Sequence, residues 1–256
     1  MSNSLRVAIL GVGIDLVRGE EVLAALGDEA DPPSRCRRIV TANTELVMMA
    51  QSNAALAAAI GTADWVLAES VGIMWAGALG GTPFPEQLPG IEFAERLAAA
   101  AARAGWPVYL LGGRPGVAPR AAARLAERVP GLVIAGARHG YFAAAEETEV
   151  VAAIARSDAG IVFVGLGMPR QELFMARQAK RLNARAAIAV GGSFDVWAGD
   201  VKRAPAAFRK LGLEWFYRLI KQPRRARRMA ALPAFVVAVL WRRLAGTRGF
   251  AGGNPE

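Results

Sequence analysis

Short runs rich in Val, Ile and Leu alternate along the chain with longer Ala-rich stretches whose apolar positions recur at helical spacing. This is the pattern of βα units wound around a largely parallel sheet, and the fold class it predicts is α/β. Strands are expected near residues 6–10, 38–40, 65–68, 108–111, 133–136, 161–164 and 187–190, with the clearest helices at 44–60, 92–104, 117–128, 143–156, 170–182 and 205–220. Glycine pairs fall after several of these strands: Gly11 and Gly13, Gly112 and Gly113, Gly165 and Gly167, Gly191 and Gly192. In an open α/β sheet, ligands gather outside the carboxyl ends of the strands, where such turns lie. Residues 82–90 carry three prolines between two units and are expected to form a mobile loop near the site.

Composition narrows the chemistry. At 256 residues and 54% hydrophobic content the chain can bury a substantial core, in one large domain or in one domain with an appendage. One cysteine, Cys36, excludes an internal disulfide framework, and one histidine, His139, excludes a histidine-based metal cluster. The start, MSNSLRVAIL, has no basic stretch ahead of a long apolar run, so no secretory signal is expected. The longest apolar run, 229–241, contains Pro233 and falls short of the roughly 20 residues a spanning helix needs.

Charge then singles out one end. Between Val201 and Arg248 there are 13 Lys or Arg against one acid, Glu214; that +12 exceeds the whole chain's +9 and leaves −3 for the rest. The excess points to a polyanionic partner, an anionic lipid surface or a nucleic acid. Trp215, Phe216 and Tyr217 lie within the basic run, and Arg227, Arg228, Arg242 and Arg243 flank the apolar one. Cations around an apolar stretch with tryptophan at its edge fit an interfacial element, each basic side chain adding about 1 kcal/mol near an anionic surface. A membrane is therefore favoured over a specific nucleic acid, with burial in a homo-oligomer interface as the remaining option.

Individual motifs leave alternatives open. VAILGVGID begins like a dinucleotide fingerprint but has Leu16 where the third glycine belongs. LLGGRPGVAPRAA follows a strand and opens a helix, so its amides and Arg114 suit a phosphate, or it is a tight turn with no ligand. In VGLGMPRQE, Gly165 and Gly167 allow close backbone approach while Arg170, Gln171 and Glu172 offer a guanidinium, an amide and a carboxylate, a set suited to a sugar or nucleotide. Thr41 and Asn43 lie between a strand and a helix, where either serves as N-cap or site residue. Glu69 and Ser70 follow a strand directly, so Glu69 is a general base or a helix-capping carboxylate. His139 and Tyr141 are core residues or a stacking platform, and Asp195 follows another glycine turn. No Asp-x-Asp motif of the kind that holds a divalent metal on a nucleotide diphosphate is present.

Taken in order, TANTE, ADWVLAESVGIMWA, PGIEF, YLLGGRPGVA, HGYF, VGLGMPRQE, VGGSFDVWAG, KRAP and GLEWFYRL resemble the WecG/TagA/CpsF family of bacterial glycosyltransferases, from about Leu5 to about Arg228. The resemblance implies a Rossmann-like α/β domain over 1–200, with helices on both faces of the sheet, and a basic, membrane-associating helical appendage over 201–256. It implies an inverting, metal-independent enzyme without a cofactor, cytoplasmic and peripheral on the inner face of the cell membrane. The donor would be a UDP-sugar and the acceptor a polyprenyl-diphosphate-linked saccharide, with N-acetylmannosamine or a related hexose transferred during cell-surface polysaccharide synthesis. Glu69 stands where the family has the aspartate proposed as base, with Thr41 and Asn43 lining the site beside it. Substrate contacts are expected from Gly112, Gly113, Arg114, Tyr141, Gly165, Gly167, Arg170, Gln171, Glu172 and Asp195. Gln87 replaces a family arginine, which shifts diphosphate binding toward Arg170 and the tail residues Arg218, Arg224 and Arg225.

Overall fold

The computed structural model describes residues 5–28, 35–205, 208, 217 and 231–245. Most of the helix expected at 205–220, and the residues Arg218, Arg224 and Arg225, lie outside the described residues. The chain opens with two antiparallel strands, β1 (Arg6–Ile9) and β2 (Val12–Asp15), which form a sheet of their own. Six parallel strands make the main sheet: β3 (Arg37–Ala42), β4 (Trp65–Ala68), β5 (Val108–Gly112), β6 (Ile134–Arg138), β7 (Ile161–Gly165) and β8 (Ala186–Ala189). Their order is β4-β3-β8-β7-β5-β6.

The sheet is apolar on both faces, and this is why its strands read as unbroken hydrophobic runs. Side chains alternate between two cores: Val66, Leu111, Val164 and Ala189 point to one, while Leu67, Leu110, Phe163 and Ile188 point to the other. Over the first face lie α2 (Thr44–Ser52), α3 (Ala54–Gly61), α4 (Val71–Leu79), α7 (Glu147–Ala155) and α8 (Arg170–Gln178). Over the second lie α1 (Gly19–Gly27), α5 (Gly90–Ala104), α6 (Val117–Arg128) and α9 (Ser193–Trp197). Each fully buried Leu, Ile or Val contributes about 1.5–3 kcal/mol, so the two cores hold the helices to the sheet.

Two expectations from the sequence change. The first strand belongs not to the parallel sheet but to a hairpin, whose turn residues Leu10 and Gly11 both have positive φ (51° and 82°). Gly11 and Gly13 therefore lie away from the carboxyl edge of the main sheet. The segment that begins like a dinucleotide fingerprint runs from strand into strand, with no helix to receive a pyrophosphate. Asp15, at its end, is structural: its carboxylate accepts from Val66 N–H at 2.6 Å and from Arg6 Nε at 3.0 Å. The single helix expected at 44–60 is two, because Asn53 breaks the first and caps the second, accepting from Leu56 N–H at 3.0 Å.

A final helix, α10 (Ala231–Leu244), packs on α2 and α4. Phe235 and Val239 are buried against them, while Val236, Val237, Leu240, Trp241 and Leu244 form an exposed apolar face, Trp241 at 72%. Its 14 residues span about 21 Å, short of a bilayer core, and no described helix is long and apolar enough to cross a membrane.

Candidate active site

The carboxyl ends of the six strands bring most of the candidate residues into one row. Glu69 follows β4, and its backbone continues the ladder, N–H to the Ala42 carbonyl at 3.0 Å. Its carboxylate is held on both oxygens: Oε2 accepts from Asn43 Nδ2 at 2.9 Å and Oε1 from Gly90 N–H at 3.3 Å. Asn43 is the N-cap of α2 and a hydrogen-bond partner of Glu69. Its Oδ1 accepts from Leu46 N–H at 2.9 Å, which fixes the amide with Nδ2 toward Glu69. Glu69 in turn sits at the amino end of α5, where the helix dipole favours negative charge, and not on α4, the helix that follows it in sequence. A side chain at Gly90 would come within 3.1 Å of Thr41 Oγ1 and 3.3 Å of Glu69 Oε1, so glycine lets α5 approach this closely.

The proline-bearing loop expected to be mobile is tied down at several points. Gln87 Nε2 donates to the Glu69 carbonyl at 3.0 Å, Leu88 N–H to the Ala68 carbonyl at 2.7 Å, and Phe84 is buried. Glu86 accepts from Gly19 N–H and Arg96, both at 2.7 Å, and these bonds hold its carboxyl below the ordinary range against the opposing effect of burial. Gln87 thus braces the backbone of Glu69.

Connections leave β5 outward to β6 and β7 inward to β8, which opens a crevice between β5 and β7 of the kind that receives ligands. Gly112 and Gly113 meet Gly165 there. The amide of Gly113 is already committed, donating to the Gly165 carbonyl at 3.1 Å, and Gly140 N–H donates to the Gly113 carbonyl at 2.9 Å. These glycines act by letting backbones touch. Arg114 stands at the mouth with its side chain 66% exposed, loosely paired with Asp195 at 4.0 Å and Asp200 at 3.9 Å. Tyr141 is also exposed, and its N–H donates to His139 Nδ1 at 3.2 Å.

The PRQE side chains make most of their contacts within the protein. Arg170 donates to the Gly140 carbonyl at 2.6 Å and the Phe142 carbonyl at 3.2 Å and stacks on the Phe142 ring, which anchors the HGYF loop. Gln171 is 4% exposed and Glu172 2%. Gln171 Oε1 accepts from Gly191 N–H at 3.1 Å, while its Nε2 donates to Glu172 Oε1 at 2.8 Å. Burial pushes the Glu172 carboxyl up to about 7; the Gln171 hydrogen bond opposes this and the nearby Glu69 charge adds to it. Gly167, with φ of 77°, starts the turn into α8. Cys36 is no nucleophile, since burial pushes its thiol up to about 12.

Sequence reasoning missed the inward role of Glu172 and the use of Gly90 as a partner of Glu69. The glycine at the start of PGIEF, next to a conformationally fixed proline, was the available signal for the latter. Four interstrand spacings separate β4 from β5, about 19 Å, so Glu69 and Arg114 mark the two ends of an elongated site.

A buttressed carboxylate and glycine turns along the carboxyl edge of a parallel sheet define a Rossmann-like α/β enzyme that works on ligands at its strand ends. The particular family follows from comparison. The profile of the "Glycosyl transferase WecG/TagA/CpsF family" matches residues 7–249, and the chain belongs to that family: it is a glycosyltransferase. It is similar, at 37% identity over 202 residues, to the N-acetylglucosaminyldiphosphoundecaprenol N-acetyl-beta-D-mannosaminyltransferase of Bacillus spizizenii; the match covers 79% of this chain and 78% of that protein.

Proposed function

We propose that the protein transfers a hexose, N-acetylmannosamine or a close relative, from a UDP-sugar to a polyprenyl-diphosphate-linked saccharide with inversion and without a metal. The observation that carries this reading is the Glu69 carboxylate, held between Asn43 Nδ2 and Gly90 N–H at the site edge. Glu69 takes the proton of an acceptor hydroxyl as that oxygen attacks the anomeric carbon; the bond to the diphosphate breaks and UDP leaves with the electron pair. Arg114 at the crevice mouth offsets charge on the departing diphosphate, and Tyr141 lies where a base could stack. The similarity to the Bacillus spizizenii mannosaminyltransferase supports the choice of sugar and of lipid-linked acceptor.

The direct test is UDP release across a panel of UDP-sugars with undecaprenyl-diphosphate-linked N-acetylglucosamine, with and without EDTA. Release with UDP-N-acetylmannosamine that requires the acceptor and survives EDTA is expected. Absence of release with every donor would overturn the reading, and abolition by EDTA would overturn its metal-independent part.

The outer face of α10 supports work at a membrane surface. Phe235 on its inner side lies 3.9 Å from the position of a Cβ on Gly72, three residues beyond Glu69, so the helix packs directly behind the catalytic loop. Val237→Glu combined with Trp241→Glu, both exposed, is expected to reduce sedimentation with anionic vesicles at least ten-fold while UDP affinity stays within two-fold. Unchanged sedimentation would remove α10 from the membrane contact, and a wild-type dimer that the substitutions dissociate would assign the face to self-association.

A further inference from the structure

Glu172 takes no part in the chemistry assigned to Glu69, yet it is buried to 2% exposure within the same edge. Its Oε1 accepts from Gln171 Nε2, and its Oε2 is closed off from solvent with no hydrogen-bond partner among the described residues. The Gln171 amide cannot turn to serve Oε2, because its own oxygen is held by Gly191 N–H. Among the described residues, the elements packed on α8 supply no cation there. Helix α3 and strands β7 and β8 contain no charged residue. Strand β3 has Arg37 and Arg38 at its amino end, donating to the carbonyls of Ala25, Ala59 and Thr62. On α8 itself, Arg170 is committed to the Gly140 and Phe142 carbonyls, and Arg177 to Glu147 of α7. The charge that acts on Glu172 is that of Glu69, which has the same sign. An ionised carboxylate with one bare oxygen, under the influence of a second carboxylate of the same sign, costs much more than the neutral protonated acid.

We propose that Glu172 is a positioning residue that works as a neutral carboxylic acid, anchoring Gln171 and the Gly191 turn beneath the site without adding a second negative charge to that of Glu69. The proposal deepens the glycosyl-transfer reading and rests on it, since donor and acceptor would each bring a diphosphate to this edge and an ionised Glu172 would repel both. With its carboxyl held up at about 7, the neutral acid prevails below that pH and is lost above it. The group sits above its ordinary value of 4.5, so its contribution to stability is complete below that pH and is lost progressively as pH rises to about 7. Donor affinity follows the same curve, and kcat/KM falls about five-fold between pH 7 and pH 8 for one such ionisation.

The test compares pH profiles of wild type and Glu172→Gln between pH 5.5 and 9, using UDP-N-acetylmannosamine and the lipid-linked N-acetylglucosamine acceptor. Glutamine copies the neutral acid in shape and keeps an oxygen for Gln171 Nε2. The wild-type profile is expected to fall above neutrality through a rising donor KM with kcat nearly constant, and the variant profile, normalised to pH 6, to stay flat. The same alkaline fall in the variant, or none in the wild type, would overturn the proposal. Carboxyl carbon NMR of wild type labelled at glutamate reads the protonation without turnover and without the variant. One glutamate titrating near neutrality is expected, and none titrating above pH 6 overturns the neutral acid. If no donor reacts at any pH, the glycosyl-transfer reading fails and the carbon titration alone decides the state of Glu172.

Discussion

Glu69→Gln is expected to lower the transfer rate by about a thousand-fold, within the range that a positioned general base contributes, while UDP affinity measured by calorimetry changes less than three-fold. The amide cannot accept a proton from the acceptor hydroxyl, and its geometry adds a second cost. Two donors, Asn43 Nδ2 and Gly90 N–H, point at the two carboxylate oxygens, and an amide has one oxygen to offer. Asn43 cannot adapt by turning over, because its Oδ1 caps α2 through Leu46 N–H. One donor is therefore left facing an NH2 group, at a cost of about 1–3 kcal/mol in stability, which a denaturation curve measures alongside the rate. Glu69→Asp separates the two effects: it keeps the carboxylate on a shorter stem and is expected to recover part of the rate. Near-normal turnover by Glu69→Gln would exclude Glu69 as the base.

Why the strand-end position of Glu69 is legible in the sequence, while the burial of Glu172 is not, comes down to how far each depends on distant chain. Glu69 ends an apolar run, and a residue that ends a parallel strand is delivered to the carboxyl edge by local geometry alone. The strands themselves were legible for a related reason: with both faces buried, Trp65–Ala68 and Ile161–Gly165 have no polar alternation to obscure them. Glu172 begins a helix after a glycine turn, and such a position is equally consistent with solvent, ligand or core. What buries it is tertiary packing around α8, which no local pattern records. The partners of Arg170 are hidden in the same way, because the carbonyls it binds lie about 30 residues earlier, in a loop whose approach depends on contact between Gly140 and Gly113. Strand β2 escaped notice because GVG reads equally well as a strand-to-helix turn, and Val12–Asp15 adds only four residues to decide it. The tail was legible as chemistry, from its charge and its tryptophan; the packing of α10 through Phe235 behind the Glu69 loop required the fold.

The crevice between β5 and β7 carries the largest expected effect on stability. Gly112→Ala is expected to destabilise the protein by about 3 kcal/mol or more, a large share of the 5–15 kcal/mol that holds a typical domain together. Its φ is 148°, and a Cβ there would lie 2.3 Å from the Gly165 carbonyl oxygen and 2.4 Å from the carbonyl carbon. Both atoms are backbone, in a strand paired with β5, so no side chain can swing aside and relief requires β5 and β7 to part. Parting them breaks the bond from Gly113 N–H to the Gly165 carbonyl and disturbs the one from Gly140 N–H to the Gly113 carbonyl, so the loops bearing Arg114 and Tyr141 lose their seats. Gly131→Ala is the reference for a positive-φ glycine without a clash: its φ is 82°, a Cβ there meets nothing within 4 Å, and a loss of about 1 kcal/mol is expected. Chemical denaturation of the two variants, with UDP affinity measured on each, makes the comparison. Equal losses would mean that backbone conformation alone selects glycine at 112. A larger loss at 112, joined to weakened UDP binding that Gly131→Ala does not share, would tie the close contact of the two strands to the shape of the donor end of the site.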